Sequence, residues 1–156
     1  GSGRTLEIQR LIGRSLRAGV DLNLLGQRTI WVDCDVLQAD GGTRVASVTG
    51  GFVAMRLAVN KLIRSGKIRK DPVISHVAGL SLGYVGGELL VDLDYSEDSK
   101  ADVDCNIVMN SRGEFIEIQG TGERGTFSKN EFDGIIAVAA EKIENVFKYQ
   151  FLIFEK

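Results

Sequence analysis

Asp40-Gly41-Gly42-Thr43-Arg44-Val45-Ala46-Ser47 is where a β-branched stretch gives way to a long stretch of helical periodicity. The segment before it, Arg28 to Leu37, carries Thr29, Ile30, Trp31, Val32 and Val36 between Gly26 and the Asp-Gly-Gly turn, which is the composition of a strand. After it, Val48, Phe52, Met55, Leu57, Val59, Leu62 and Ile63 recur at helical spacing from Thr43 to Ser65, and Gly66 supplies a stop. These positions cover much of a helix circumference, so the helix is expected to be largely buried, with Gly50 and Gly51 marking close packing against a neighbour. The junction is suited to an anion, because glycines admit backbone N–H groups close to a ligand and a helix N-terminus has unpaired donors and a positive dipole end. Arg44 adds a guanidinium fork for phosphate oxygens. Asp-Gly-Gly is equally ordinary turn chemistry, and both readings stand at this point.

On the N-terminal side, Leu6, Leu11, Ile12 and Leu16 share a stripe of a helix from about Thr5 to Ala18, and Arg10, Arg14 and Arg17 recur on another. That basic stripe is either a solvated face or a contact surface. On the C-terminal side, Val73 to Val85 and Glu88 to Asp94 flank Gly86-Gly87, a tight hairpin turn, and Asp104 to Asn110 and Glu114 to Thr121 flank Ser111-Arg112-Gly113, a second. Ser128 and Glu131 form a capping box for a last helix, with Phe127 and Phe132 as its hydrophobic staple. The order helix, strand, helix, four strands, helix predicts an α+β layer structure, a mixed or antiparallel sheet covered by helices, with a right-handed strand-helix-strand crossover.

A chain of 156 residues with 44% hydrophobic and 26% charged residues and a net charge of −2 is expected to form one globular domain, and nucleic-acid binding would need a local basic patch. Cys34 and Cys105 lack CxxC spacing and lie in apolar contexts, which argues against zinc and for buried reduced thiols of a cytoplasmic protein, although the count also allows one disulfide. No apolar run is long enough to span a bilayer and no leader is apparent, so neither a membrane nor secretion is expected.

The second cluster with chemical potential is Asp94 to Asp104, with Asp94, Glu97, Asp98, Asp102 and Asp104 between two strand-like segments. It reads either as an acidic surface loop or as a seat for magnesium, which favours one or two carboxylates plus waters and phosphate oxygens. One such carboxyl could also serve as a general acid if its neighbours raised its pKa. Paired with the anion seat, it suggests phosphoryl transfer. GxxxxGK[ST] is absent, and His76, the sole histidine, lies in an apolar run suited to packing rather than catalysis.

Three runs carry a family resemblance: Gly3 to Arg17 (Gly-Arg-Thr-Leu-Glu-Ile-Gln-Arg-Leu-Ile-Gly-Arg-Ser-Leu-Arg), Asp33 to Arg44, and Glu97-Asp98-Ser99 with Asp104, continued by Glu117-Ile118-Gln119-Gly120-Thr121. In order and nearly throughout, the chain resembles the bacterial ribonuclease PH family, within the exosome and polynucleotide phosphorylase superfamily. The resemblance implies the ribosomal protein S5 domain 2-like fold and a phosphate-dependent 3′ to 5′ exoribonuclease, a tRNA nucleotidyltransferase that trims tRNA precursors and other RNA 3′ ends. Inorganic phosphate is the co-substrate, nucleoside diphosphates are released, and members form hexameric rings. By position, Arg4, Gly42, Thr43 and Arg44 match the family's phosphate-binding residues, and Asp98 and Asp104 match its catalytic, Mg2+-associated aspartates. Arg10, Arg14 and Arg17 become candidates for RNA or subunit contacts.

Val45 stands where the family usually has threonine, Cys105 where it usually has methionine, and Asp102 inherits no role. Residues 1–156 are expected to be a single ribonuclease PH-like domain without the family's N-terminal segment, which contributes strands and tRNA-binding basic residues. The resemblance therefore leaves room for a fragment, a shortened protein, or a separate chain carrying that segment. Other readings are a non-catalytic RNA-binding or structural ring subunit, an inactive truncated form, and a small-molecule kinase on a related fold, which would need a glycine-rich ATP loop.

Overall fold

Gly86 and Gly87 both adopt positive φ, 58° and 86°, and the turn they make pairs Val85 with Glu88, because this geometry matches the twist of the strands it joins. The protein is seen in a computed structural model that describes residues 3–154. Strands β1 (Val77–Val85), β2 (Glu88–Val91), β3 (Val103–Asn110) and β4 (Phe115–Gly122) form one antiparallel sheet in the order β2-β1-β3-β4. The helices are α1 (Gly3–Ala18), a short α2 (Leu22–Leu25), α3 (Thr43–Arg64), a short α4 (Tyr95–Asp98) and α5 (Lys129–Phe154). Both predicted hairpins form, and Gly113 closes the second at φ 79°. Ser128 and Glu131 exchange the two capping bonds, and the rings of Phe127 and Phe132 lie 6.4 Å apart.

Strand alternation divides the sheet into two faces. Ala78, Leu80 and Leu82 with Val103, Cys105, Ile107 and Met109 bury against Ile135, Ala139, Ile143 and Phe147 of α5. On the opposite face, Val77 and Val108 pack with Leu11 and Leu16 of α1 and Val48, Phe52 and Met55 of α3. Gly79 is required there, since a Cβ would lie 2.7 Å from that of Val45.

The strand expected over Arg28 to Leu37 does not form. That stretch has no regular secondary structure and no ladder partner among the described residues, Trp31 and Leu37 are 90% and 94% exposed, and no strand-helix-strand crossover arises. Its β-branched composition suits a pleated surface, but a strand also needs a neighbour to bond with. The central helix is buried along one stripe only, with Leu57 exposed. A Cβ on Gly51 would make only ordinary contacts with Val32 and Cys34, and one on Gly50 would meet nothing, so close packing accounts for neither strongly. The first strand of the sheet starts at Val77, with Val73 making only an isolated bridge to Val20. Cys34 is exposed rather than buried and Cys105 faces α5 on the far side of the sheet, so both are free thiols. Burial pushes the Cys105 thiol up to about 11.

Because β2 pairs only with Leu82 to Val85, the first half of β1 has an open edge. Side chains close it: Thr49 Oγ1 accepts the Gly79 N–H at 3.0 Å, and Gln150 Nε2 donates to the Val77 carbonyl at 3.0 Å. Thr49→Val keeps the shape and strands that N–H, so it should destabilise the fold by about 1–3 kcal/mol in a denaturant titration.

His76 packs in an aromatic cage, with ring centres 4.3 Å from Phe151, 5.1 Å from Phe52 and 5.3 Å from Phe154. Burial, and then the Arg56 cation, hold its pKa below the ordinary value, with Asp71 opposing them. The unfolded chain therefore takes up a proton at His76 before the folded chain does, and stability present above about pH 6.5 is lost as pH falls below it. Midpoints of chemical denaturation should drop between about pH 6.5 and 5 for the parent and stay flatter for His76→Phe.

Candidate functional site

The site begins with a contact that only glycine permits. A Cβ on Gly41 would lie 1.9 Å from the Leu93 carbonyl oxygen, so the Asp40–Thr43 turn presses directly on the chain entering α4. Asp40 strengthens the junction, its Oδ1 accepting the N–H groups of Gly41 and of Tyr95, the first residue of α4. Gly42 is the N-cap of α3 at φ 68° and gives no side-chain cap; the first helical bond runs from Ala46 N–H to its carbonyl at 3.0 Å. The donors ahead of Ala46 therefore have no partner within the helix, as an anion seat requires. Thr43 turns its hydroxyl to the Asp40 carbonyl at 2.8 Å. A Cβ on Gly42 would lie 2.9 Å from Ser81 Oγ, a buried hydroxyl with no hydrogen-bond partner among the described residues.

Of the five acids from Asp94 to Asp104, three are committed to structure. Asp94 and Glu97 form the capping box of α4, and Asp102 Oδ2 accepts the Gly86 N–H of the first hairpin at 3.2 Å. Asp98 ends α4, and Asp104 sits on β3 opposite Gly83 and Thr121, on the α3 side of the sheet. Burial raises the Asp104 pKa, as do Asp98 and Glu123, while Arg44 and a hydrogen bond from Asn106 pull it down. Asp98, Asp104 and Arg44 thus share one electrostatic neighbourhood. Among the described residues, no three acidic, histidine or cysteine side chains gather closely enough to cage a metal. Two carboxylates that repel one another still fit a hard cation that keeps most of its waters.

Arg44 reaches across to both α1 and β4. Its Nη1 donates to Gln119 Oε1 at 3.3 Å and meets Glu7 Oε1 at 3.4 Å, while Gln119 Nε2 donates to the same Glu7 oxygen at 2.8 Å. Glu7 lies one turn beyond Arg4, so α1 brings its first turn toward the N-terminus of α3; Arg4 itself is exposed. The basic stripe divides: Arg14 is paired with Glu117 of β4 at 2.8 Å, whereas Arg10 and Arg17 are exposed and make no ion pair among the described residues. A cavity of about 550 Å³ runs beside Asp40, Gly41 and Thr43, and a larger one of about 610 Å³ lies between α1 and the 28–34 stretch, away from the acids.

Sequence reasoning singled out the ends of this site and missed its middle. Ser81, Asn106 and Gln119 stand side by side across β1, β3 and β4 on the α3 face. The available signal was period-two polarity inside otherwise apolar strands, as in Asp104, Asn106 and Asn110. Glu7 and Glu123 carried no distinguishing pattern.

Comparison with known proteins bears on this arrangement. The model for the 3′ exoribonuclease family, domain 1, matches residues 1–59, and that for domain 2 matches residues 75–142. Ribonuclease PH of Bacillus velezensis is 55% identical over 150 residues and that of Bacillus subtilis 53%, each covering 96% of this chain. The chain spans 61% of the length of each of these curated relatives. Among solved structures, the Archaeoglobus fulgidus exosome with RNA bound to the active site matches at a TM-score of 0.68 and 19% identity, over 95% of this chain and 62% of that one. Rice Rrp46 matches at 0.67 and 12%, over 96% and 65%. At such identities the likeness is one of fold, and the antiparallel sheet with its helices is consistent with the S5 domain 2-like fold. With both domain models matched in order and more than half of the aligned residues shared with the Bacillus relatives, the chain belongs to the 3′ exoribonuclease family.

Proposed function

We propose that this chain carries out phosphorolysis at RNA 3′ ends, removing terminal nucleotides in the 3′ to 5′ direction as nucleoside diphosphates. The observation that carries the reading is the uncapped N-terminus of α3, with Arg44 on its first turn and in electrostatic contact with Asp104, which is itself coupled to Asp98. An oxygen of inorganic phosphate attacks the last internucleotide phosphorus, the bond to the 3′ oxygen breaks, and that oxygen takes up a proton. The incoming phosphate becomes the β-phosphate of the product, and the RNA is left one nucleotide shorter with a free 3′ hydroxyl.

In this reading the backbone donors at Gly42 to Arg44, the guanidinium of Arg44 and the Thr43 hydroxyl, once it turns from the Asp40 carbonyl, hold the attacking phosphate, with Arg4 approaching from α1. Asp98 and Asp104 would hold Mg2+, which supplies charge neutralisation at the scissile phosphoryl group. Asp98 would be the principal carboxylate for that cation, and Asp104 would contribute to it only in its ionised form. The raised proton affinity of Asp104 suits it to protonate the leaving 3′ oxygen. Arg10 and Arg17, free of ion pairs, are the better candidates for RNA-backbone contacts, while Arg14 serves chiefly to clip α1 to β4.

The same reading extends to tRNA precursors as substrates, to assembly as a ring of identical subunits, and to a cytoplasmic setting. The family and the exosome-like fold support the ring. Among the described residues no helix is long and apolar enough to cross a membrane. A non-catalytic ring subunit finds no support in a site that retains every one of these groups.

Incubation with RNA, inorganic phosphate and Mg2+ should release nucleoside diphosphates on chromatography, and Arg44→Ala should suppress that release by weakening phosphate capture. Nucleoside monophosphates released without a phosphate requirement would sink the mechanism. Asp104→Asn should lower kcat by about 10²–10⁴-fold with RNA binding retained in a filter assay.

A further inference from the structure

Arg44 is already partnered within the chain. Its guanidinium meets the Glu7 carboxylate at 3.4 Å and the Gln119 carbonyl at 3.3 Å, and Gln119 holds that carboxylate at 2.8 Å through its amide. Three elements, α1, α3 and β4, meet in this ring of side chains. A carboxylate on a guanidinium that reads as a phosphate ligand is an anion already in the anion's place. The long contact and a Glu7 side chain 51% exposed make it a poor source of stability. A half-exposed glutamate on the first turns of a helix can also swing away at little expense.

We propose that Glu7 is an internal competitor of inorganic phosphate: it holds Arg44 while the seat is empty and must be displaced, or must tolerate a second negative charge beside it, when phosphate arrives. Gln119 is the positioning residue of the exchange, because its carbonyl keeps Arg44 aimed after Glu7 lets go. The inference rests on the reading of Gly42 to Arg44 as a phosphate seat. It also gives the enzyme a threshold, since phosphate must outbid a tethered carboxylate before the seat is filled.

Isothermal titration of this chain with inorganic phosphate tests it. Glu7→Gln keeps an acceptor for Gln119 and removes only the charge, so phosphate should bind about threefold more tightly than to the parent at low salt. The advantage should shrink in about 1 M salt, where the Debye length is about 3 Å. In phosphorolysis the gain should appear in KM for phosphate with kcat unchanged. Equal or weaker binding by Glu7→Gln, with binding by the parent intact and lost in Arg44→Ala, overturns the competitor and spares the seat. Absence of an Arg44-dependent phosphate affinity in the parent overturns the seat, and the competitor with it.

Discussion

Gly41 lies against the Leu93 carbonyl with no room for a single methyl group, and the candidate site depends on that contact. Two segments more than fifty residues apart in sequence are held in register there: the turn that starts α3, and the turn that starts α4. Asp40 ties the same two together through the Tyr95 N–H. With the helix ends fixed to one another, Arg44 at the start of α3 and Asp98 at the end of α4 both act electrostatically on Asp104 of β3. Opposite charges are brought together there by packing, with no direct salt bridge between Arg44 and either aspartate among the described residues; Arg44 pairs with Glu7 instead.

The sheet beneath is two-faced. Toward α5, β1 and β3 present a block of buried apolar side chains that specify how the layers sit. Toward α3 it mixes apolar residues with a polar row, Ser81, Asn106 and Gln119, whose members support Gly42, Asp104 and Arg44 in turn. Glycines at 79 and 83 lower that face where α3 and the Leu93 segment approach. Both faces carry a buried core, and the polar row lies on the α3 side.

Much of this was legible before any coordinates. Turn glycines and the Ser128–Glu131 box marked the hairpins and the last helix, because those signals are local and have few alternative structures. The Arg28–Leu37 strand was misread because a strand is a relation between two segments, and composition records only one of them. The acidic cluster was found as a cluster, but separating its caps from its free members needed the backbone: Asp94, Glu97 and Asp102 each bond a particular N–H. The Glu7–Gln119–Arg44 ring spans sequence separations of 37, 75 and 112 residues, and nothing local announces it.

The sealed edge of β1 bears on the order in which the chain comes together. Gly79 N–H is satisfied by a residue 30 positions earlier, and the Val77 carbonyl by one 73 positions later, within the last turns of α5. Closing such separations carries an entropic penalty that only the finished layers repay. A nascent chain that has made both hairpins still exposes raw strand edge until its final helix is complete. The C-terminal turns of α5 therefore act late in the assembly, and synthesis must reach them before the open half of β1 is covered.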